Sequence, residues 1–230
     1  GRSRRRAHPR SAVARRAHHA APAAGLTRGR VFTAGPAEAG GYAGWVARHT
    51  LLSTRVLLVC AAIGVATGIV GGIAGILTPL ILASPLALAY GFVLGAHVLP
   101  GIVAQEVLRM PLVAILTHVL AALVATAFNP AWALRFIGTA LLFGAIQEGV
   151  AALTRYRAWG PWRFFISAVI IGVIVAVAVF FAAHLSAFAP WAQVAYLILS
   201  VLGPVAWTAL GLGIGASLRR AGVARQTAAR

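Results

Sequence analysis

The chain has 230 residues, of which 60% are hydrophobic and only 10% charged, and its formal net charge is +17. Apolar runs this long and this numerous exclude a water-soluble domain and define a polytopic membrane protein. All the basic charge is arginine, aspartate is absent, and Glu38, Glu106 and Glu148 are the only acids. Arginines that flank apolar segments address the anionic head groups of membrane lipids and form no reading surface for nucleic acid, so no nucleic-acid partner is expected. The single cysteine, Cys60, lies inside an apolar run, which excludes an intrachain disulfide and any cysteine-built zinc or iron–sulfur site.

Residues 1–50 are rich in Arg, Ala, Gly and Pro, carry Arg4-Arg5-Arg6 and Arg15-Arg16, and show no sustained apolar period. They read as a disordered basic tail that contains the His18-His19 pair. Six apolar segments follow, near 53–76, 85–108, 111–128, 133–153, 163–185 and 190–216. Each is long enough for the roughly 20 residues that cross a bilayer core, so the predicted fold is all-α: a six-transmembrane-helix bundle over 51–217, closed by a short basic tail at 218–230. In the first segment Gly64, Gly68 and Gly72 recur at four-residue spacing with Ala62 and Ala66 alongside, a pattern that lets another helix approach closely. Residues 77–84 are apolar but interrupted by Pro79; they either extend the first helix or cap a cavity, because irregular backbone at membrane depth must be sheltered.

Topology follows from arginine placement, since cytoplasmic connections accumulate basic residues. With both termini inside, the inner side receives Arg48, Arg55, Arg109, Arg155, Arg157, Arg163, Arg219, Arg220, Arg225 and Arg230, and the outer side only Arg135. Trp159 and Trp162 then mark the inner interface, and Trp132 and Trp191 the outer one.

The polar residues inside the spans are few. Tyr90 and His97, seven residues apart, share a face of the second span; His118 lies midway along the third, and Gln147 with Glu148 about a turn inward of the middle of the fourth. On the sixth, Tyr196, Ser200, Gly203 and Trp207 form one stripe that either lines a pocket or packs on a neighbour. A carboxyl group at this depth costs several kcal/mol unless it faces the bundle interior or a partner. Glu148 is therefore either a ligand contact or a hydrogen-bonded acid between helices, while Glu106 pairs with Arg109 at i+3. No catalytic residue, metal site or cofactor is expected: no His-Glu-x-x-His pattern exists, and a chain without lysine holds no P-loop.

The run from Glu148 to Trp159, with Leu153, Arg155-Tyr156-Arg157 and the closing tryptophan, resembles the YkoE-like substrate-binding (S) components of energy-coupling factor (ECF) transporters. Tyr90-Gly91 and Arg109-Met110-Pro111 are similar to that family too, although Met110-Pro111-Leu112 replaces its Lys-Pro-Gly and Thr117-His118 stands where it has an acid. The resemblance implies a non-enzymatic bundle in a bacterial plasma membrane that captures thiamin or its hydroxymethylpyrimidine moiety. It also implies a transmembrane T component and two cytoplasmic ATPase subunits as partners. In this reading Tyr90, Trp132, Phe136, Tyr196 and Trp207 stack on the ligand ring. Glu148 and Gln147, with His97 and His118 at similar depth, take its polar edge. The Gly64, Gly68 and Gly72 face, with Ala62 and Ala66, meets the T component. The alternatives are a stand-alone ion- or proton-coupled permease and an intramembrane enzyme built on Glu148, His97, His118 and His184.

Overall fold

The computed structural model describes residues 53–182 and 185–223, all of whose regular elements are helical. The basic tail expected over 1–50, Glu38, His184 and the chain beyond residue 223 lie outside the described residues. Helix α1 (Thr54–Leu82) opens on Ser53, whose side chain accepts the Val56 N–H at 3.4 Å, and runs unbroken through Pro79. Residues 77–82 thus extend the first helix. The missing N–H of Pro79 removes one backbone bond, and the end of the helix is closed by Ala83 N–H to Pro79 O and Ser84 N–H to Ile81 O.

The second span is interrupted. A 3₁₀ turn (Pro85–Ala89) leads into α2 (Tyr90–Gly95), a second 3₁₀ turn (Ala96–Val98) and then α3 (Leu99–Leu108). The break falls just ahead of Pro100, which cannot donate to the preceding turn. Irregular backbone at this depth survives only inside protein, and every residue of α3 is buried, which makes α3 the centre of the bundle.

Around it stand α4 (Val113–Phe128), α5 (Ala133–Leu153, entered through a 3₁₀ turn at Pro130–Trp132), α6 (Pro161–Ala182) and α7 (Pro190–Arg220). The expected limits of the fourth span coincide with α5, whereas α7 continues to Arg220, past the point where a tail was expected. Ala87–Leu108 and the spans built on α1, α5, α6 and α7 are long and apolar enough to cross a membrane; α4, with 16 residues, is a shorter apolar helix.

Small residues set the crossings. A Cβ at Gly68 would come within 2.6 Å of the Ala121 carbonyl oxygen and 2.8 Å of Val124 Cβ, so α1 lies directly on α4. Gly91 and Gly95 of α2 meet Ser200 and Gly203 of α7 in the same way, and Gly172 brings α6 onto α7. Apolar side chains fill the interior, with Phe143, Phe164 and Ile171 in one cluster and Cys60, Val103 and Val107 in another. Leu58, Leu80, Leu134 and Phe181 face outward, as a lipid-facing surface requires.

Candidate functional site

A cavity of about 140 Å³ opens where α1 ends and α5 begins, lined by Gly75, Thr78, Tyr90, Leu94, His97, Trp132, Arg135, Phe136 and Thr139. Trp132, Arg135, Phe136 and Thr139 follow an i, i+3, i+4, i+7 spacing and present one face of the α5 span. Tyr90, Leu94 and His97 reach it from the broken second span. The lining is aromatic: the His97 and Phe136 rings stack at 6.2 Å with 15° between planes, and Trp132 lies 6.3 Å from Phe136. The Arg135 guanidinium sits over the Trp132 ring, 4.9 Å from its centroid. His97 Nδ1 is buried without a hydrogen bond of good geometry, its interaction with the Leu94 backbone falling short of one. A second void of about 20 Å³, room for a single water, continues inward past His97, Phe136 and Thr139 to His118.

Below that void the polar side chains close on one another. The Gln147 amide donates to the Val98 carbonyl at 3.1 Å, in the break between α2 and α3. Its oxygen meets His118 Nε2 at 3.0 Å, which places the imidazole proton on Nε2. Gln105 reaches the Gln147 carbonyl at 3.5 Å, and Gly101 leaves the space that the Gln147 amide occupies. Gln147 thus fastens α5 to α3 and α4 and lines neither cavity.

Glu148 lies nearer the arginine-rich end and also lines neither cavity. Its Oε1 accepts the backbone N–H of Ala114 at 2.8 Å, and Oε2 accepts the Tyr156 hydroxyl at 3.1 Å. A carboxylate at the first turn of α4 answers an otherwise orphan donor and the positive end of the helix dipole. Gln147 and Glu148, expected on a ligand edge, both have protein partners in this structure. The turn after α5 serves this contact. Arg155 and Tyr156 adopt φ of 50° and 56°, and their N–H groups return to Ala152 and Ala151, a Schellman closure that carries the phenol back over Glu148. Burial and the neighbouring Glu148 carboxylate push the Tyr156 phenol above its usual pKa, so it stays a donor. Arg163 lies nearby, fully buried, with its guanidinium over the rings of Trp159 and Phe164 at 4.2 and 4.4 Å.

Packing bears on three further expectations, and the Glu106–Arg109 pair at i+3 is present. Glu106 is paired chiefly with Arg219 of α7, at 2.8 Å, and only distantly with Arg109, at 3.9 Å. Tyr196 and Trp207 line neither cavity: Tyr196 is buried and Trp207 donates to the Phe92 carbonyl at 3.0 Å, because Ser200 and Gly203 between them carry the α2 crossing. The Gly64, Gly68 and Gly72 face is filled from within the chain by Leu120, Ala121, Val124 and Phe128 of α4. That leaves Ala62 and Ala66, which are exposed and line an apolar groove of about 370 Å³ with Val59, Val70, Val103 and Ile214.

Of the nine candidate ligand contacts, Tyr90, His97, Trp132 and Phe136 meet at the cavity and His118 stands beneath it. Thr78, Thr139 and Arg135 complete the lining without having been singled out. Arg135 had a visible signal, as the one arginine expected on the outer side, three residues after Trp132.

The architecture is similar to that of a solved membrane protein. It superposes on the crystal structure of an S-component of an ECF transporter with a TM-score of 0.68 at 18% identity, covering 76% of this chain and 90% of that one. Residues 55–174 match the family described as the permease component of an ABC-type cobalt transport system, and the chain belongs to that family. No curated protein sequence gives a significant match.

Proposed function

We propose that the protein is the substrate-capturing S component of an ECF-type importer and that its ligand is a single pyrimidine-type ring, such as the hydroxymethylpyrimidine moiety of thiamin. The observation that carries this reading is the cavity between Tyr90, His97, Trp132 and Phe136. Its volume of about 140 Å³ suits one six-membered ring, since a cavity near 150 Å³ admits benzene. Aromatic walls supply stacking, and Thr78, Thr139 and His97 supply polar contacts to a heteroaromatic edge. Cobalt is named in the family's description. However, no group of three or more His, Cys, Asp or Glu side chains is placed to hold a metal among the described residues, which favours an organic cargo.

In this reading the chain performs no chemistry on its ligand. The arginine-rich end faces the cytoplasm of a bacterial plasma membrane, where a T component and two ATPase subunits supply the drive. The exposed Ala62 and Ala66 offer the T component a flat approach. Calorimetry of the purified protein tests the capture step: hydroxymethylpyrimidine binds without ATP, and His97→Ala or Trp132→Ala weakens binding at least tenfold. Absence of binding by any pyrimidine rejects the ligand, and uptake that persists without the ATPase subunits favours a stand-alone permease.

A further inference from the structure

The charge of the cavity narrows its ligand beyond ring size. This step rests on the cavity being the capture site proposed above. Arg135 is the one charged residue in the lining. It forms no ion pair among the described residues; its guanidinium is engaged by the Trp132 face alone. Two of the three acids are committed elsewhere, and Glu38 lies outside the described residues. Glu106 is held by Arg219 and Arg109 near the arginine-rich end, and Glu148 by Ala114 and Tyr156. A cation entering the cavity therefore meets a like charge with no carboxylate among the described residues to answer it, and a guanidinium prefers carboxylate or phosphate oxygens.

The remaining polar groups fit the same ligand. Thr78, Thr139 and Tyr90 bring hydroxyls, and His97 brings a ring nitrogen that lacks a well-formed bond. Arg135 is exposed whereas Phe136 is buried, so the guanidinium stands at the rim while the Phe136 ring lies deeper. A ring seated between His97, Phe136 and Trp132 would direct one substituent toward it.

We propose that Arg135 is a specificity-determining residue and that the ligand is a single heteroaromatic ring bearing an anionic substituent, a phosphate ester or a carboxylate, in preference to a cationic two-ring compound. Bound thiamin would place a thiazolium beside Arg135.

The test is a set of titrations of the detergent-purified protein, followed by calorimetry and by the part of the tryptophan fluorescence lost in Trp132→Phe, with hydroxymethylpyrimidine, its phosphate ester, thiamin and pyridine-3-carboxylate. In the wild type the phosphate ester binds at least tenfold tighter than the alcohol, and thiamin binds weakest. Arg135→Gln brings ester and alcohol within about twofold of each other, and Arg135→Lys restores part of the preference. Because Arg135 is exposed, an unchanged melting temperature shows that the variants remain folded. Thiamin binding as tight as the ester, or an ester preference that survives Arg135→Gln, overturns the assignment while leaving pyrimidine capture in place. Arg135-dependent binding of the pyridine carboxylate with no binding of either pyrimidine supports the charge assignment and rejects the pyrimidine.

Discussion

Glu148 and Gln147 show what a polar side chain inside a membrane helix can be for. Both satisfy backbone or side-chain groups of other helices, and Glu148 closes the start of α4 from a helix 34 residues away in sequence. Removing its carboxylate leaves the buried Ala114 N–H unpaired, at a cost of about 1–3 kcal/mol. Glu148→Ala is therefore expected to lower the melting temperature in detergent while ligand affinity stays within twofold. A loss of affinity without a loss of stability would return Glu148 to the binding site. That these residues matter was legible from the cost of burying them; which role they play was not, because composition and spacing do not say whether a neighbouring helix start needs an acceptor. The same limit hid the Arg219 partner of Glu106, which lies more than 100 positions along the chain, whereas Arg109 is visible three residues away.

At the scale of elements, the glycine pattern of α1 was legible as a close contact, and the structure supplies the contacting helix. Because a Cβ at Gly68 would press on backbone as well as on Val124, the crossing has no soft neighbour to yield. Gly68→Ala is expected to destabilise the bundle by about 1–3 kcal/mol, read as a drop in melting temperature. Gly213→Ala, in open space on α7, serves as a control with little effect. The broken second span was less legible. Its apolar run is continuous, and Pro100 alone does not tell a kink from an interruption. The 3₁₀ turn at Ala96–Val98 is maintained by Gln147 and enclosed by neighbouring helices, all of which act from a distance in sequence.

For the whole molecule, the apolar segments were sufficient to anticipate the bundle, because hydrocarbon admits few ways to satisfy a backbone. They do not identify which faces meet lipid, partner or ligand. The proposed docking face is the groove beside Ala62 and Ala66, open along α1, α3 and α7. Ala62→Leu with Ala66→Leu is expected to abolish co-purification with a T component and leave ligand titrations unchanged. Retained assembly in that double variant would move the interface elsewhere.

Helix α5 carries cavity-lining residues over its first turns and the fastening residues Gln147 and Glu148 over its last. The two functions occupy separate stretches of one rod. Exchanges at Arg135 and Thr139 are therefore expected to change cargo preference with less effect on assembly than exchanges at Phe136, which packs on Ala122, Ala125 and Gly75.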